Sequence, residues 1–433
     1  MHIALVVAIL APLLAAVLAG SELLLGARPP GERQVVFTLR AGLLMSLLAS
    51  AAIAAAHVGQ WPAALAGEVD FGAWIAISSY EIPAVFLVDH VAVAFSLLAA
   101  TLTVLVARFS ETYLHKDPGF LRFHILIGLF AAGTQLVAYA GALDLLFAGW
   151  EAIGIASTLF IGFFHERAEP VRSALRAFVT YRLCDVGLLL AIVAIHEDLG
   201  STRLSALVAA DSLSTVAVTS IGLLLLLAAC GKSAQLPVSS WLVRAMEGPT
   251  PSSALFYGGV SVHAGLYLLL RTSPVLAAAP LAAAVGVVVG LSTALYATLV
   301  ARTHADAKGA LAQATLAQIG LILAEICLGW TTLALTHLLG HAILRVWQYL
   351  RAPNMLHDAH HHAHHGHASR EGLLTRVLPP RLIRHLYLVQ LHRFRLDDML
   401  DAMATPVTRL AQALCRLDRR WFDAGSAQED DGR

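Results

Sequence analysis

Charge is scarce in this sequence. Asp, Glu, Lys and Arg make up 13% of the 433 residues, against roughly 25% in a soluble domain. The 29 basic and 29 acidic residues cancel, and no basic, aromatic-laced stretch stands out, which argues against a nucleic-acid partner. Cysteine is scarcer still. Cys184, Cys230, Cys327 and Cys415 are scattered with no C-x-x-C pair, which argues against a disulfide framework, an iron–sulfur cluster or a redox dithiol. They read as small apolar residues. What fills the chain instead is apolar: 58% of residues, with a mean hydropathy of +0.71. That balance belongs to a membrane protein.

A bilayer core takes about 20 consecutive apolar residues. On that template about eleven spans are expected, near residues 3–19, 39–57, 86–107, 122–140, 142–164, 174–196, 214–237, 251–271, 276–301, 309–329 and 331–350. The first apolar run, Ile3 to Leu18, has little basic sequence before it and a long polar loop after it. It reads as a spanning helix rather than a cleaved signal. Basic residues then alternate between loops: Arg28, Arg33 and Arg40; Arg108, Lys116 and Arg122; Arg167, Arg172 and Arg176; Arg302 and Lys308. The opposite loops are poor in them, Arg203 and Arg271 excepted, and one carries Glu68, Asp70 and Glu81. The positive-inside rule then places the N-terminus outside and the C-terminus in the cytoplasm of a bacterial inner membrane.

Beyond Arg351 the composition changes. Residues 357–367 read HDAHHHAHHGH, a solvated linker or a metal- or pH-sensing tract, without the closed spacing of a structural zinc site. Leu396, Met399, Leu400, Met403, Val407, Leu410, Leu414 and Leu417 follow at helical spacing, giving one apolar face suited to a membrane interface or a partner. Two domains are expected: a transmembrane domain, 1–351, and a cytoplasmic tail, 352–433.

The informative residues break the apolar spans. An ionised group at mid-membrane costs about 2.5–3.5 kcal/mol on insertion scales, so each needs a partner, water or a function. Glu151 lies in LDLLFAGWEAIGIASTLFIGFF; Arg182 and Asp185 lie in FVTYRLCDVGLLLAIV; Lys232 follows LLLLLAAC. His263 lies in ALFYGGVSVHAGLYLLL, Lys308 opens a span, and His337, His341 and Arg345 lie in LALTHLLGHAILRVW. Arg182 and Asp185, three apart, are a structural ion pair or a functional one. Lys308 and Arg345 are near enough to helix ends to snorkel. Glu151 and Lys232, on different spans with apolar flanks, are expected to stabilise one another's charges. His337 and His341 share a helix face; that spacing suits a metal, but no further ligand follows, so a proton relay is the better reading. In GKSAQLPVSSW a proline interrupts a span beside the buried lysine, a recurrent way to build an ion site at mid-depth.

At these residues the sequence resembles the NuoL and MrpA family of proton-conducting or antiporter-like membrane subunits. The motifs that carry the resemblance are GKSAQLPVSSWLVRAMEGPTPSSAL, FAGWEAIGIASTLFIGFF, SETYLHKDPGFLRF, ADAKGALAQATLAQIG and THLLGHAIL, within residues 80–350. The resemblance implies an all-α antiporter-like fold of inverted five-helix repeats, the first complete (about 122–271) and the second truncated. It implies a proton path in which Glu151 and Lys232 form the acid–base pair. Lys308, His337 and His341 continue a central relay, with His263 on the neighbouring span, and Arg182 and Asp185 modulate it. It implies no cofactor, metal or catalytic residue in the subunit itself. Two substitutions depart from the pattern: Tyr257 stands where the family has a histidine, and Arg345 where a lysine is usual, and arginine does not release a proton at ordinary pH. The short form is most similar to DabB (MpsA)-type subunits. This implies coupling of the ion gradient to CO2/bicarbonate uptake by a large cytosolic zinc-containing DabA-like partner. The alternative is a proton-pumping subunit among the membrane subunits of a complex I-like, hydrogenase or Mrp-type cation/proton antiporter complex.

Overall fold

A computed structural model describes residues 1–24, 30–59, 66–77, 80–304, 306–352 and 379–398, with isolated positions between 402 and 416. The chain divides into two units, Met1–Ala368 and Ser369–Arg433. In the first, α1 (His2–Leu24) and α2 (Glu32–Gly59) lead into a hairpin of β1 (Ala66–Ile77) and β2 (Tyr80–Asp89). There follow α3 (His90–Tyr113), α4 (Phe120–Tyr139), α5 (Leu143–Ile161), α6 (Ala168–Leu199) and α7 (Thr215–Lys232). A broken stretch then carries short α8 (Ser240–Arg244) and α9 (Thr250–Ser252), a π-helical run Ser253–Gly259, α10 (Ser261–Arg271) and short α11 (Ser273–Ala278). The unit closes with α12 (Pro280–Val300), α13 (Ala307–Cys327) and α14 (Thr331–Arg351). In the second unit, α15 spans Pro380–Leu391.

Ten helical segments among the described residues are long and apolar enough to cross a membrane, and the protein is a multi-pass membrane protein. The eleventh expected span is α14, a 21-residue helix made polar by His337, His341, Arg345 and Arg351. The fold is mostly helical, as expected, with one hairpin inserted between α2 and α3. Residues 66–89, read as a loop running into a helix from 86, pair antiparallel, Ala66 opposite Asp89. Helix α3 starts only at His90, where the Asp89 side chain accepts from the Ala92 amide at 2.8 Å and caps the helix. Arg203, expected in a basic-poor loop, reaches back to Asp70 at 2.7 Å and Glu68 at 3.5 Å. Asp70 is held below the usual carboxylate range, first by the Gly72 amide and then by Arg203. The ring of His2 meets Phe71, so the start of α1, the hairpin and the α6–α7 connection lie on one side of the bundle.

Close packing depends on small residues. A methyl on Gly290 would lie 2.5 Å from the Gly320 carbonyl, and one on Gly320 would lie 2.6 Å from the Gly290 carbonyl, so α12 and α13 touch backbone to backbone. In lipid such contacts replace the hydrophobic drive that water supplies elsewhere. The span Thr250–Arg271 is buried throughout, packed against α3, α5, α7, α13 and α14. Its C-terminal Arg271, expected in a loop, is buried and bonds both oxygens of Asp89, at 2.9 and 2.7 Å.

The break after α7 is satisfied locally. The Gln235 amide bonds the Cys230 carbonyl at 2.9 Å, the Leu236 amide bonds Thr293 Oγ1 at 3.0 Å, and Trp241 Nε1 donates to the Gly231 carbonyl at 3.1 Å. Irregular backbone is tolerated at this depth because protein supplies these partners. The histidine-rich tract at 357–367 and, apart from Leu396, the apolar face expected beyond it lie outside the described residues.

Candidate functional site

Two groups of ionisable side chains occupy the interior. The first joins α5, α6 and α7. Arg182 reaches two acids: Nη1 donates to the Glu151 carboxylate, and Nη2 to Asp185 Oδ2 at 2.8 Å. The other oxygen of Asp185 accepts from Trp150 Nε1 at 2.6 Å. Lys232, fully buried, donates to the Trp150 carbonyl at 3.2 Å and lies 4.7 Å from the ring centres of Trp150 and Tyr181. Aromatic faces are a favourable seat for a desolvated ammonium. Gly154 makes the room: a methyl there would lie 2.9 Å from Lys232 Nζ. Two acids and two bases thus share one pocket of low dielectric, where mutual attraction offsets their desolvation. Glu151 Oε1 has no hydrogen-bond partner among the described residues, which leaves one carboxylate oxygen able to accept a proton.

The second group joins α10, α13 and α14. His263 Nε2 meets His341 Nδ1 at 3.0 Å, and Arg345 Nε donates to His341 Nε2 at 3.0 Å. Arg345 Nη1 continues to Gln348 Oε1 at 2.7 Å. One turn before His341, His337 bonds Glu325 at 2.9 Å and Gln318 Oε1 at 3.1 Å. Two contacts tie this group to the first. Ser157 on α5 and Ser261 on α10 share a hydroxyl hydrogen bond of 3.0 Å. Ser233, the residue after Lys232, packs its Oγ against Gly265, where a methyl would meet it at 2.3 Å. Ser261 and Gly265 stand two residues to either side of His263 on α10, so the two groups are neighbours through the packing of α5 and α7 on α10.

A family model described as the transmembrane region of NADH:quinone oxidoreductase and Mrp antiporter subunits matches residues 140–378, and one for the N-terminus of complex I chain 5 matches residues 74–124. The chain belongs to this antiporter-like family. It is 35% identical over 290 residues to NADH-quinone oxidoreductase subunit L of Mycobacterium tuberculosis, covering 66% of this chain and 46% of that protein. It is 32% identical over 291 residues to NAD(P)H-quinone oxidoreductase chain 5 of Picosynechococcus sp., covering 66% and 44%. The chain therefore spans about half the length of these curated relatives. Among solved structures, a chain of the Mrp complex from Dietzia sp. DQ12-45-1b superposes with a TM-score of 0.67 at 25% identity, covering 88% of this chain and 39% of that one. A chain of the archaeal membrane-bound sulfane sulfur reductase superposes at 0.70 over 92% of this chain and 87% of that one; at 18% identity this likeness is one of fold.

Both groups of this antiporter-like chain fall inside the larger matched region. Seven of the eight expected site residues, Glu151 among them, belong to the contacts above, but the pairing differs from expectation. Glu151 bonds Arg182 rather than Lys232, because the guanidinium fork can serve two acids at once whereas an ammonium is a point charge. Asp185 and Glu151 act on Lys232 through charge alone. Arg345 is buried on His341 rather than snorkelling. Lys308, half-buried in the first turn of α13, takes part in none of these contacts. Tyr257 lies in the π-helical run with its hydroxyl 3.5 Å from the Ser157 carbonyl. Among the described residues no group of three or more His, Cys, Asp and Glu has metal-site geometry. Sequence reasoning passed over Glu325, an acid in the span LILAEICLG that the mid-membrane cost would have flagged. Trp150, Tyr181, Gly154, Ser157 and Ser261 carried no such signal.

Proposed function

We propose that this chain is a proton-conducting membrane subunit of a complex I-like or Mrp-type assembly, in a bacterial inner membrane with its N-terminus outside. The observation that carries the proposal is the presence of two neighbouring groups of ionisable side chains inside the bundle, Glu151, Arg182, Asp185 and Lys232 in one and His263, His341 and His337 in the other, with the Ser157–Ser261 contact between their helices. A membrane bundle stable for packing alone gains little from burying so many ionisable groups, whereas a proton path needs them. Glu151 takes and releases the proton, and Arg182 holds the carboxylate in place. Lys232, seated on aromatic faces, can exchange a proton with the histidine side. Homology to subunits of respiratory and antiporter complexes supports membrane partners.

The narrower reading is coupling to inorganic carbon uptake through a cytosolic zinc-containing partner. Its support is the motif resemblance and the separate C-terminal unit Ser369–Arg433, which would serve as a docking element. The relatives above favour the respiratory or antiporter assembly. Co-purification of the full chain from its native membrane decides between them. Recovery of other antiporter-like membrane subunits fits the main reading, and recovery of one large soluble zinc protein fits the narrower one. For conduction itself, Glu151→Ala and Lys232→Ala are expected to abolish transport-dependent growth with the protein still in the membrane; wild-type growth of both would refute the path.

A further inference from the structure

An arginine side chain can donate hydrogen bonds but cannot accept them. Arg345 Nε lies 3.0 Å from His341 Nε2, so that ring nitrogen must be the bare, accepting one. A neutral His341 then carries its hydrogen on Nδ1, which faces His263 Nε2 at 3.0 Å. Nδ1 donates, so His263 Nε2 is also bare and the His263 hydrogen sits on Nδ1. One guanidinium thereby sets the tautomer of two imidazoles in succession. It also fills both of their accepting nitrogens: His341 Nε2 holds the arginine and His263 Nε2 holds His341. While the Arg345 bond is closed, neither ring has a lone pair open to an incoming proton.

We propose that Arg345 is a positioning residue that latches this histidine pair and lets it relay a proton only when its Nε bond to His341 opens. The proposal rests on the proton-path reading above. With the latch open, a proton bonds to His341 Nε2 and the His341 Nδ1–H bond breaks toward His263 Nε2. The His263 Nδ1–H bond then breaks on the far side toward a water molecule, which carries the proton on, since among the described residues no side chain bonds that nitrogen. One proton enters and one leaves, and each ring ends neutral in the opposite tautomer. Both rings must turn back before the next transfer in the same direction. Gln348 Oε1, 2.7 Å from Arg345 Nη1, holds the guanidinium in the closed position. The other polar groups facing the pair are His337, with Glu325 and Gln318 behind it, and Tyr349.

The test is nitrogen-15 NMR of the histidine rings in the full-length chain, reconstituted in lipid nanodiscs, with His263→Asn and His341→Asn for assignment. The wild-type protein is expected to show both rings hydrogenated on Nδ1, and Arg345→Met to lose that preference at His341. A wild-type His341 hydrogenated on Nε2, or on both nitrogens, would overturn the proposal whatever the variants do. In proteoliposomes of the same preparations Arg345→Met is expected to raise passive proton flux roughly tenfold, the worth of one charge-assisted hydrogen bond. Unchanged flux in Arg345→Met, where Lys232→Ala does abolish wild-type flux, would overturn the latch. If Lys232→Ala leaves flux at the wild-type level, the proton-path reading fails instead, and the NMR result still decides the tautomers.

Discussion

At the contact of α5, α6 and α7, two acids and two bases sit together, Asp185 and Lys232 buried and Glu151 and Arg182 half-buried. At the contact of α10, α13 and α14, two imidazoles meet under a guanidinium whose hydrogen bonds, among the described residues, go to His341 and Gln348. The first group is held by ion pairs, and in the proposed path the proton shifts between carboxylate and ammonium while the guanidinium of Arg182 stays charged. The second pairs imidazoles beside a single charged donor, Arg345, and in the proposal above works through which nitrogen of each ring carries hydrogen. The contrast teaches that neighbouring buried polar groups need not be alike. An ionic group is costly to break, because removing one partner strands a charge in low dielectric. A histidine pair is cheaper to break and depends on hydrogen-bond direction.

The strongest way to break that comparison is to strand charges on the ionic side. Arg182→Leu leaves Glu151 and Asp185 without their shared partner and is expected to cost about 3 kcal/mol, the low end for a buried pair because Arg182 is 35% exposed. Thermal denaturation in detergent measures it. On the histidine side His341→Leu is expected to cost less, about 1–2 kcal/mol from unpaired groups on Arg345 and His263, while stopping proton flux. An equal or larger loss than for Arg182→Leu would erase the distinction. A finer probe is Gly154→Ala, whose methyl would lie 2.9 Å from the flexible end of Lys232, with Arg182 Nη2 next at 3.4 Å. Stability is expected to change by less than about 1 kcal/mol while flux falls several-fold, since the ammonium is pushed off its aromatic seat. Flux at the wild-type level would show that the seat is not needed.

The smallest expected effect lies outside the membrane. Asp70 has its folded pKa lowered by the Gly72 amide and by Arg203. Its contribution is therefore present above the unfolded carboxylate pKa and is lost as pH falls through the lowered folded value. Acidification through that range is expected to loosen the β1–β2 hairpin, followed by Trp74 fluorescence, while both buried groups keep their contacts. A hairpin signal indifferent to acid would remove the Asp70–Arg203 tether from the account.

Much of this was legible in the sequence, and the gaps have physical causes. Spans such as 122–140 and 309–329 coincide with α4 and α13 to within a few residues, because apolar length is the bilayer's own requirement. The hairpin was missed because YEIPAVFLVD runs without a break into HVAVAFSLL, and a short apolar strand cannot be told from helix by periodicity alone. Glu151, Arg182, Asp185 and Lys232 stood out through the cost of burying charge, yet that cost does not say which acid meets which base. Here side-chain shape decided, the fork of Arg182 taking both acids. His263 and His341, 78 residues apart, were each visible as polar breaks in apolar spans; their meeting depends on the packing of α10 against α14.

The central claim is that both groups lie on one proton path. Its most direct test is proton flux into proteoliposomes holding the full-length chain in the assembly with which it purifies, comparing wild type with Lys232→Ala and His341→Leu at matched protein. The account predicts that each single variant falls to the protein-free background while Arg271→Met, altered at a buried ion pair off the path, keeps wild-type flux per folded molecule. Wild-type flux in either Lys232→Ala or His341→Leu would contradict it.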